Sequence, residues 1–384
     1  MRVTIVSRIF SPEPSAASFL LSSLAESFRD AGHEVDVVTV RPPHGLEAHD
    51  LSGVRVRRAP VLRDAAGYVR GYLQYLSFDV PLVFRLLFSR RPDLYVVEPP
   101  PTTGAVVRMI AAIRRVPYVY DAADLWSDAA QMATGSWLVL RLLRMVELFA
   151  LRGARHAFTA SEGVSDRMRQ LGVATPTTAI GFGVSDPAFH YRPAEIAPCF
   201  VYAGTFSEWH GAAVFIDALA ILRDRGVGAR VQFVGNGSER ARLAARRDEL
   251  GLTEQVDFRE IVPPAELARI LAGATASLAS LEPGRGYDYA FTTKVYAALA
   301  TGCPVVFAGT GPTVAFLERA SREVRAGSAV GYDPVRVADA MSALLTEPLS
   351  PDERARLGAW TLKRFAMRAV TDGIVRIAVE EAQR

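Results

Sequence analysis

Short apolar runs recur along the chain, each followed by a glycine- or proline-rich break and then by a segment with helical spacing. In the first half the runs fall at 3–6, 34–40, 54–57, 94–98, 118–121 and 156–160, and the helical segments at about 19–31, 103–114, 136–153 and 162–171. A second series has runs at 200–203, 231–234, 256–259, 274–280 and 304–306, with helices at about 212–224, after 238, at 264–271 and from 294. Strands alternating with helices predict α/β domains built on doubly wound parallel sheets. The pattern loosens into a proline-containing linker near 182–198, so the domains are expected at 1–185 and 198–365. Helices at about 333–346, 351–365 and 366–382 close the chain. The last is amphipathic through Val370, Ile374, Ile377 and Val379, and segment 366–384 is expected to pack back on the first domain.

Two segments have apolar content that needs a partner. Segment 68–91 carries Tyr68, Tyr72, Tyr75, Phe78, Phe84 and Phe88, and closes with Arg85, Arg90 and Arg91. The expected reading is a core-facing helix with a basic solvated end, and peripheral contact with a membrane surface is the alternative. In 136–153, Leu138, Leu142, Met145 and Phe149 share one face, which reads as a packing helix.

At 384 residues the chain is too long for one ordinary core. A formal net charge of +3 is too balanced to indicate nucleic-acid binding by bulk electrostatics. The two cysteines, Cys199 and Cys303, give neither a disulfide framework nor metal-ligand spacing, and a reducing compartment fits. The amino-terminal apolar run is a strand rather than a signal peptide, and no run reaches the roughly eighteen residues of a membrane span. A cytoplasmic protein is expected, with peripheral attachment at the inner membrane face as the variant reading.

The candidate chemistry lies in the loops that follow strands, where open α/β sheets bind ligands. Asp121, Asp124 and Asp128 crowd one such loop, where carboxylates can hold sugar hydroxyls or act as a base. Asp128 also fits simple capping. In the second series, Gly204 and Thr205 open a loop that runs to His210 and Gly211, and Gly235-Asn236-Gly237 opens another. Thr292 and Thr293 are expected to cap a short helix whose first turn carries Lys294, a seat for phosphate. Three such loops on one sheet edge point to a nucleotide or phosphate site.

Taken in order, these pieces resemble the retaining glycosyltransferases of family 4. The resemblance rests on 1–35, on 92–100, on Asp124-Leu125-Trp126, on the loops at 203–211 and 234–237, and on 294–306. It implies the GT-B architecture, two Rossmann-like domains facing across a cleft. It also implies transfer of a sugar from a nucleotide-sugar donor to a small-molecule or lipid-linked acceptor, with retention and without a metal or other cofactor. The donor would lie on Gly204, Thr205, His210, Gly235, Asn236, Gly237, Thr292, Thr293 and Lys294. The acceptor would lie near Ser15, Ala16 and Trp126, with Asp121 and Asp124 as catalytic candidates. The sequence departs from the family where it usually carries two glutamates, since Tyr289 and Ala297 stand there; Glu282 and Asp288 are the nearby acids. Ala123 replaces a histidine often found before the aspartate of Asp-Leu-Trp, and Ser15-Ala16 replaces paired glycines. Two other readings fit the residues: a sugar-nucleotide epimerase on the same fold, and a silent or atypical relative with an unusual donor.

Overall fold

The structure is a computed structural model. It describes all residues except 14, 44–45, 47–50, 65–68, 70, 131–135, 182, 185–186 and 286–287, together with the side chains of Ala16 and Tyr72. Tyr68 and the expected domain end at 185 therefore lie outside the described residues. The chain forms two compact units, one from Met1–Phe182 with Met367–Arg384 and one from Gly183–Ala366.

The first unit has seven strands: β1 (Arg2–Val6), β2 (Glu34–Val40), β3 (Val54–Ala59), β4 (Leu94–Val97), β5 (Tyr118–Ala122), β6 (His156–Thr159) and β7 (Thr177–Ala179). All pair in parallel in the order β3-β2-β1-β4-β5-β6-β7. Its helices are α1 (Ala16–Asp30), α2 (Tyr72–Leu87), α3 (Pro101–Arg114), α4 (Trp126–Ala129), α5 (Trp137–Gly153) and α6 (Glu162–Gln170). The central strands β1 and β4 are apolar on both faces and nearly fully buried, as a sheet covered on both sides requires.

The carboxyl-terminal helix, α14 (Met367–Gln383), lies on α1. Val370, Ile374, Val375 and Ala378 are buried in the cluster that holds Leu20, Leu24 and Phe28. The Thr371 hydroxyl meets Ser27 Oγ at 2.7 Å and Ser23 Oγ at 3.2 Å.

The second unit has six parallel strands: β8 (Ala197–Ala203), β9 (Arg230–Val234), β10 (Val256–Arg259), β11 (Ala274–Ser280), β12 (Val305–Ala308) and β13 (Gly327–Val330). Their order is β10-β9-β8-β11-β12-β13. Alternate residues feed two cores. Phe200, Tyr202, Val306 and Ala308 join the cluster beneath α7 (Ala213–Asp224) and α12 (Pro334–Thr346). Val201, Ala203, Val305 and Phe307 join the cluster beneath α10 (Lys294–Ala300) and α13 (Pro351–Phe365). In each sheet the order reverses at one place, between β1 and β4 and between β8 and β11, the position at which open α/β sheets bind ligands.

Two expectations fail. Thr293 does not cap α10 through its side chain: its backbone is already helical (φ −62°, ψ −24°), which turns the hydroxyl away from the first-turn N–H groups. The apolar face of α5 is not packed. Leu138, Leu142, Met145 and Phe149 are all exposed, and the helix buries Glu147, Ala150 and Leu151 instead. Similarly, α2 buries Phe78, Leu82 and Leu86 but leaves Leu76, Val80 and Phe84 exposed. No helix among the described residues is long and apolar enough to cross a membrane.

Candidate active site

In the second unit, the loop after β8 begins at Gly204, whose φ of +129° suits only glycine. A Cβ built there would touch the tip of Lys294, 3.4 Å from Cε. The Lys294 ammonium sits 3.9 Å from the centre of the Tyr202 ring. Its Nζ is cut off from solvent and has no hydrogen-bond partner among the described residues. Burial pushes its pKa down to about 7.

His210 ends a 3-10 turn, Glu208–His210, and its carbonyl accepts from the Ser280 hydroxyl at 2.6 Å. Burial first, and the Lys294 charge second, push the imidazole down to about 3, while a backbone hydrogen bond to Thr205 opposes them. The ring is therefore neutral, and its Nδ1 is buried without a partner among the described residues. Thr292 Oγ1 is a third such atom, although the Thr292 N–H donates to Thr313 Oγ1 at 3.1 Å. A buried ammonium with two unpartnered polar atoms is costly as it stands, and an anion with several acceptor oxygens would offset that cost.

The glycines of the next loop have a packing role. A Cβ on Gly235 would fall 2.1 Å from the Gly204 carbonyl oxygen, and one on Gly237 would fall 2.4 Å from that of Phe206. Their absence lets the two loops join backbone to backbone: the Gly204 N–H donates to Val234 at 2.9 Å and the Phe206 N–H to Asn236 at 3.0 Å. The Asn236 side chain is engaged locally, accepting from the Gly237 N–H at 2.8 Å and donating to Glu260 at 3.4 Å. Gly235, Asn236 and Gly237 thus fix the position of Gly204. Lys294, His210 and Thr292 carry the open valences.

The first unit gathers a different set at its own reversal point. Ser7 and Arg8 follow β1, Glu98 follows β4, and Asp121 lies in β5. The Ser7 hydroxyl reaches Glu98 Oε2 at 2.9 Å. Burial raises the Glu98 carboxyl to about 8, with Arg8 opposing and Asp121 adding. Asp121 is raised to about 7, by burial first and by Asp124 second. Carboxyls with such values are each partly protonated near neutral pH and can both donate to and accept from a hydroxyl. The Arg8 guanidinium lies 4.1 Å from the Tyr75 ring centre and 5.9 Å from that of Trp126, and its Nε is buried without a partner among the described residues.

Asp121, Asp124 and Trp126 are therefore brought together, with Asp124 exposed beside the buried Asp121. Trp126 is fixed from behind, where Glu147 accepts from its N–H at 2.6 Å and from that of Ser127 at 3.2 Å. Asp128 is bound to Arg144 at 2.6 Å and Arg167 at 2.7 Å. Ser15 is the N-cap of α1, accepting from the Ser18 N–H at 3.1 Å; Ala16 begins that helix, and its side chain lies outside the described residues. Arg8 and Glu98 were missed from sequence. The available signal was a charged residue ending each of the two most apolar strands.

A model of the glycosyl transferase 4-like domain matches residues 19–183, and one of the glycosyl transferases group 1 matches 197–347. The chain belongs to the family 4 glycosyltransferases. A GDP-mannose-dependent alpha-(1-6)-phosphatidylinositol dimannoside mannosyltransferase of Mycobacterium tuberculosis is 26% identical over 91% of this chain and 88% of its own. Among solved structures, sucrose-phosphate synthase from Thermosynechococcus elongatus has a TM-score of 0.74 at 18% identity, covering 99% of this chain and 98% of that one. Anabaena HepE in complex with UDP has a TM-score of 0.72 at 17% identity, covering 99% and 100%. These likenesses extend over the full GT-B architecture.

This glycosyltransferase fills the two glutamate positions differently. Ala297 packs half-buried on the core of the second unit, and Tyr289 is half-buried in the preceding loop. The nearby acids are committed. Asp288 accepts from the Gly284 N–H at 3.1 Å and pairs with the Thr310 hydroxyl at 3.5 Å, and Glu282 pairs with Arg285 at 3.2 Å.

Proposed function

We propose that this glycosyltransferase moves a sugar from a nucleoside-diphosphate donor to a hydroxyl of a lipid-linked or small-molecule acceptor, with retention and without a metal. The observation that carries the reading is the trio of buried, unpartnered polar atoms, Lys294 Nζ, His210 Nδ1 and Thr292 Oγ1. A diphosphate offers oxygens to all three, and the ammonium supplies the positive charge that a metal would otherwise bring. Gly204 and Thr205 line the approach. Gly235, Asn236 and Gly237 hold the loops in place, and Thr293 opens α10, its carbonyl accepting from the Tyr296 N–H at 3.1 Å.

The donor bond from the anomeric carbon to the diphosphate breaks, and a bond to the acceptor oxygen forms on the same face. The acceptor proton passes to the departing phosphate oxygen. Catalysis then lies in positioning and charge stabilisation. Asp121, Asp124 and Glu98 orient the acceptor hydroxyl, and Trp126 and Arg8 offer it a stacking wall. The relatives support a nucleotide-sugar donor without fixing its base, since one is named for GDP-mannose and another was solved with UDP-glucose. The mannosyltransferase's phosphatidylinositol substrate supports the lipid-linked acceptor class.

The test is a panel of nucleotide sugars and polyprenyl- or phosphatidylinositol-linked acceptors, with and without EDTA. Nucleotide release that survives EDTA, giving a product with the donor's anomeric configuration, is expected. No release with any donor, together with no thermal shift by UDP or GDP, would sink the reading.

A further inference from the structure

The outer layer of the first unit is built from α2, α3 and α5, with α3 packed against both neighbours. Of the nineteen large apolar side chains exposed among the described residues, thirteen lie on these helices or at the end of α2. They form stripes at helical spacing: Leu73, Leu76, Val80 and Phe84 on α2, and Leu138, Leu142, Met145 and Phe149 on α5. Exposure reaches 80% at Phe88 and 69% at Trp137. Since α2 also buries Phe78, Leu82 and Leu86, it presents apolar side chains both to the core and to water, a pattern unsuited to a helix whose outer face is only solvated.

The charges on this layer have one sign. The only acids in the three helices, Asp79 and Glu147, are both buried, whereas Arg85, Arg108, Arg141 and Arg152 lie at or near the surface; Arg144 is taken up by Asp128 and Arg114 by the Leu86 and Ser89 carbonyls. At one end of the layer a cavity of about 440 Å³ is lined by Arg108, Arg115, Arg155, Tyr118 and Gly153. Neither the Arg115 nor the Arg155 side chain has an ion pair or side-chain hydrogen bond among the described residues. Arg115 is also the only described non-glycine residue with positive φ (+52°), at the C-cap of α3. Glycine fits that position without strain, so an arginine held there at a cost of roughly 1–2 kcal/mol points to a use for its side chain. Gly153 completes the cavity, because a Cβ there would fall 2.6 Å from Arg108 Nε.

We propose that the outer face of α2, α3 and α5 docks on an anionic phospholipid bilayer, with the Arg108, Arg115 and Arg155 cavity receiving a lipid phosphate. The apolar stripes enter the boundary between headgroups and acyl chains, and the arginines flank them at phosphate level. The surface uses none of the donor or acceptor residues, so vesicle binding can be read whether or not turnover is detected.

The experiment is co-sedimentation of the full chain with phosphatidylcholine vesicles, with and without phosphatidylglycerol. Sedimentation should favour the anionic vesicles and weaken with salt. Arg115→Gln and Arg155→Gln should each lower anionic-vesicle partition by about fivefold. Phe84→Asp with Leu142→Asp should abolish binding while the circular dichroism spectrum stays unchanged, because both side chains already face outward. Equal sedimentation of wild type and variants would overturn the proposal. So would a concentration-dependent dimer that Leu142→Asp dissociates in a protein that ignores vesicles.

Discussion

The Lys294 ammonium is buried against Tyr202 with a pKa near 7, and its environment has a definite consequence for ligand binding. A diphosphate at Nζ stabilises the charged form, so it raises that pKa and draws in a proton. Affinity for UDP or GDP should be highest below pH 7 and should fall by about one decade per pH unit above it, until the bound-state pKa is passed. Titration calorimetry in buffers of different ionisation enthalpy would measure both the affinity and the proton uptake. Lys294→Ala should weaken binding by roughly ten- to a hundredfold and flatten the pH dependence. Unchanged affinity would count against the donor assignment.

Glu98 behaves in the opposite sense. Its folded pKa lies above the ordinary carboxyl value, so its contribution to stability is fully present below pH 4.5 and is lost as pH rises through about 8. The melting temperature should decline between pH 5 and 8, and Glu98→Gln should reduce that slope while Asp121 maintains part of it. Lys294 was legible because a lysine after two threonines before a helix has a recognisable context. Glu98 and Arg8 were not, because their roles depend on β1 and β4 being neighbours, and that adjacency joins positions far apart in sequence.

Elements were read well where they are apolar and buried, as β1, β4 and β12 are, or small and buried throughout, as β11 is. The edge strands β7 and β13 escaped notice because their residues are only half-buried and carry no apolar run. Periodicity also found the stripe on α5 but could not say what covers it, and the structure leaves it uncovered. The Gly-Asn-Gly turn after β9 was expected to hold the donor, and the structure adds a packing reason for both glycines, which lie against the backbone of a neighbouring loop. Gly235→Ala would place a methyl against the Gly204 carbonyl at a φ of +138°. Loss of at least 1–3 kcal/mol of stability is expected, readable in urea unfolding, together with weaker nucleotide binding as Gly204 shifts.

At the scale of the whole chain the two units differ in kind. The second is one uninterrupted segment, Gly183–Ala366, whereas the first needs Met367–Arg384 to cover α1. A fragment of 183–366 should therefore fold alone with a cooperative melt. A fragment of 1–182 should aggregate or bind hydrophobic dyes unless a 367–384 peptide is supplied. Within the intact chain, Ile374→Ala should cost about 2–5 kcal/mol in the first unit and leave the unfolding of the second unchanged.

The return of α14 to α1 also sets an order in time. The half of the protein made first is the half completed last, since its closing helix leaves the ribosome only after all of 183–366 has been synthesised. At ordinary elongation rates the apolar side of α1 waits on the order of twenty to seventy seconds for its partner, long enough to make the nascent amino-terminal unit a client for chaperones.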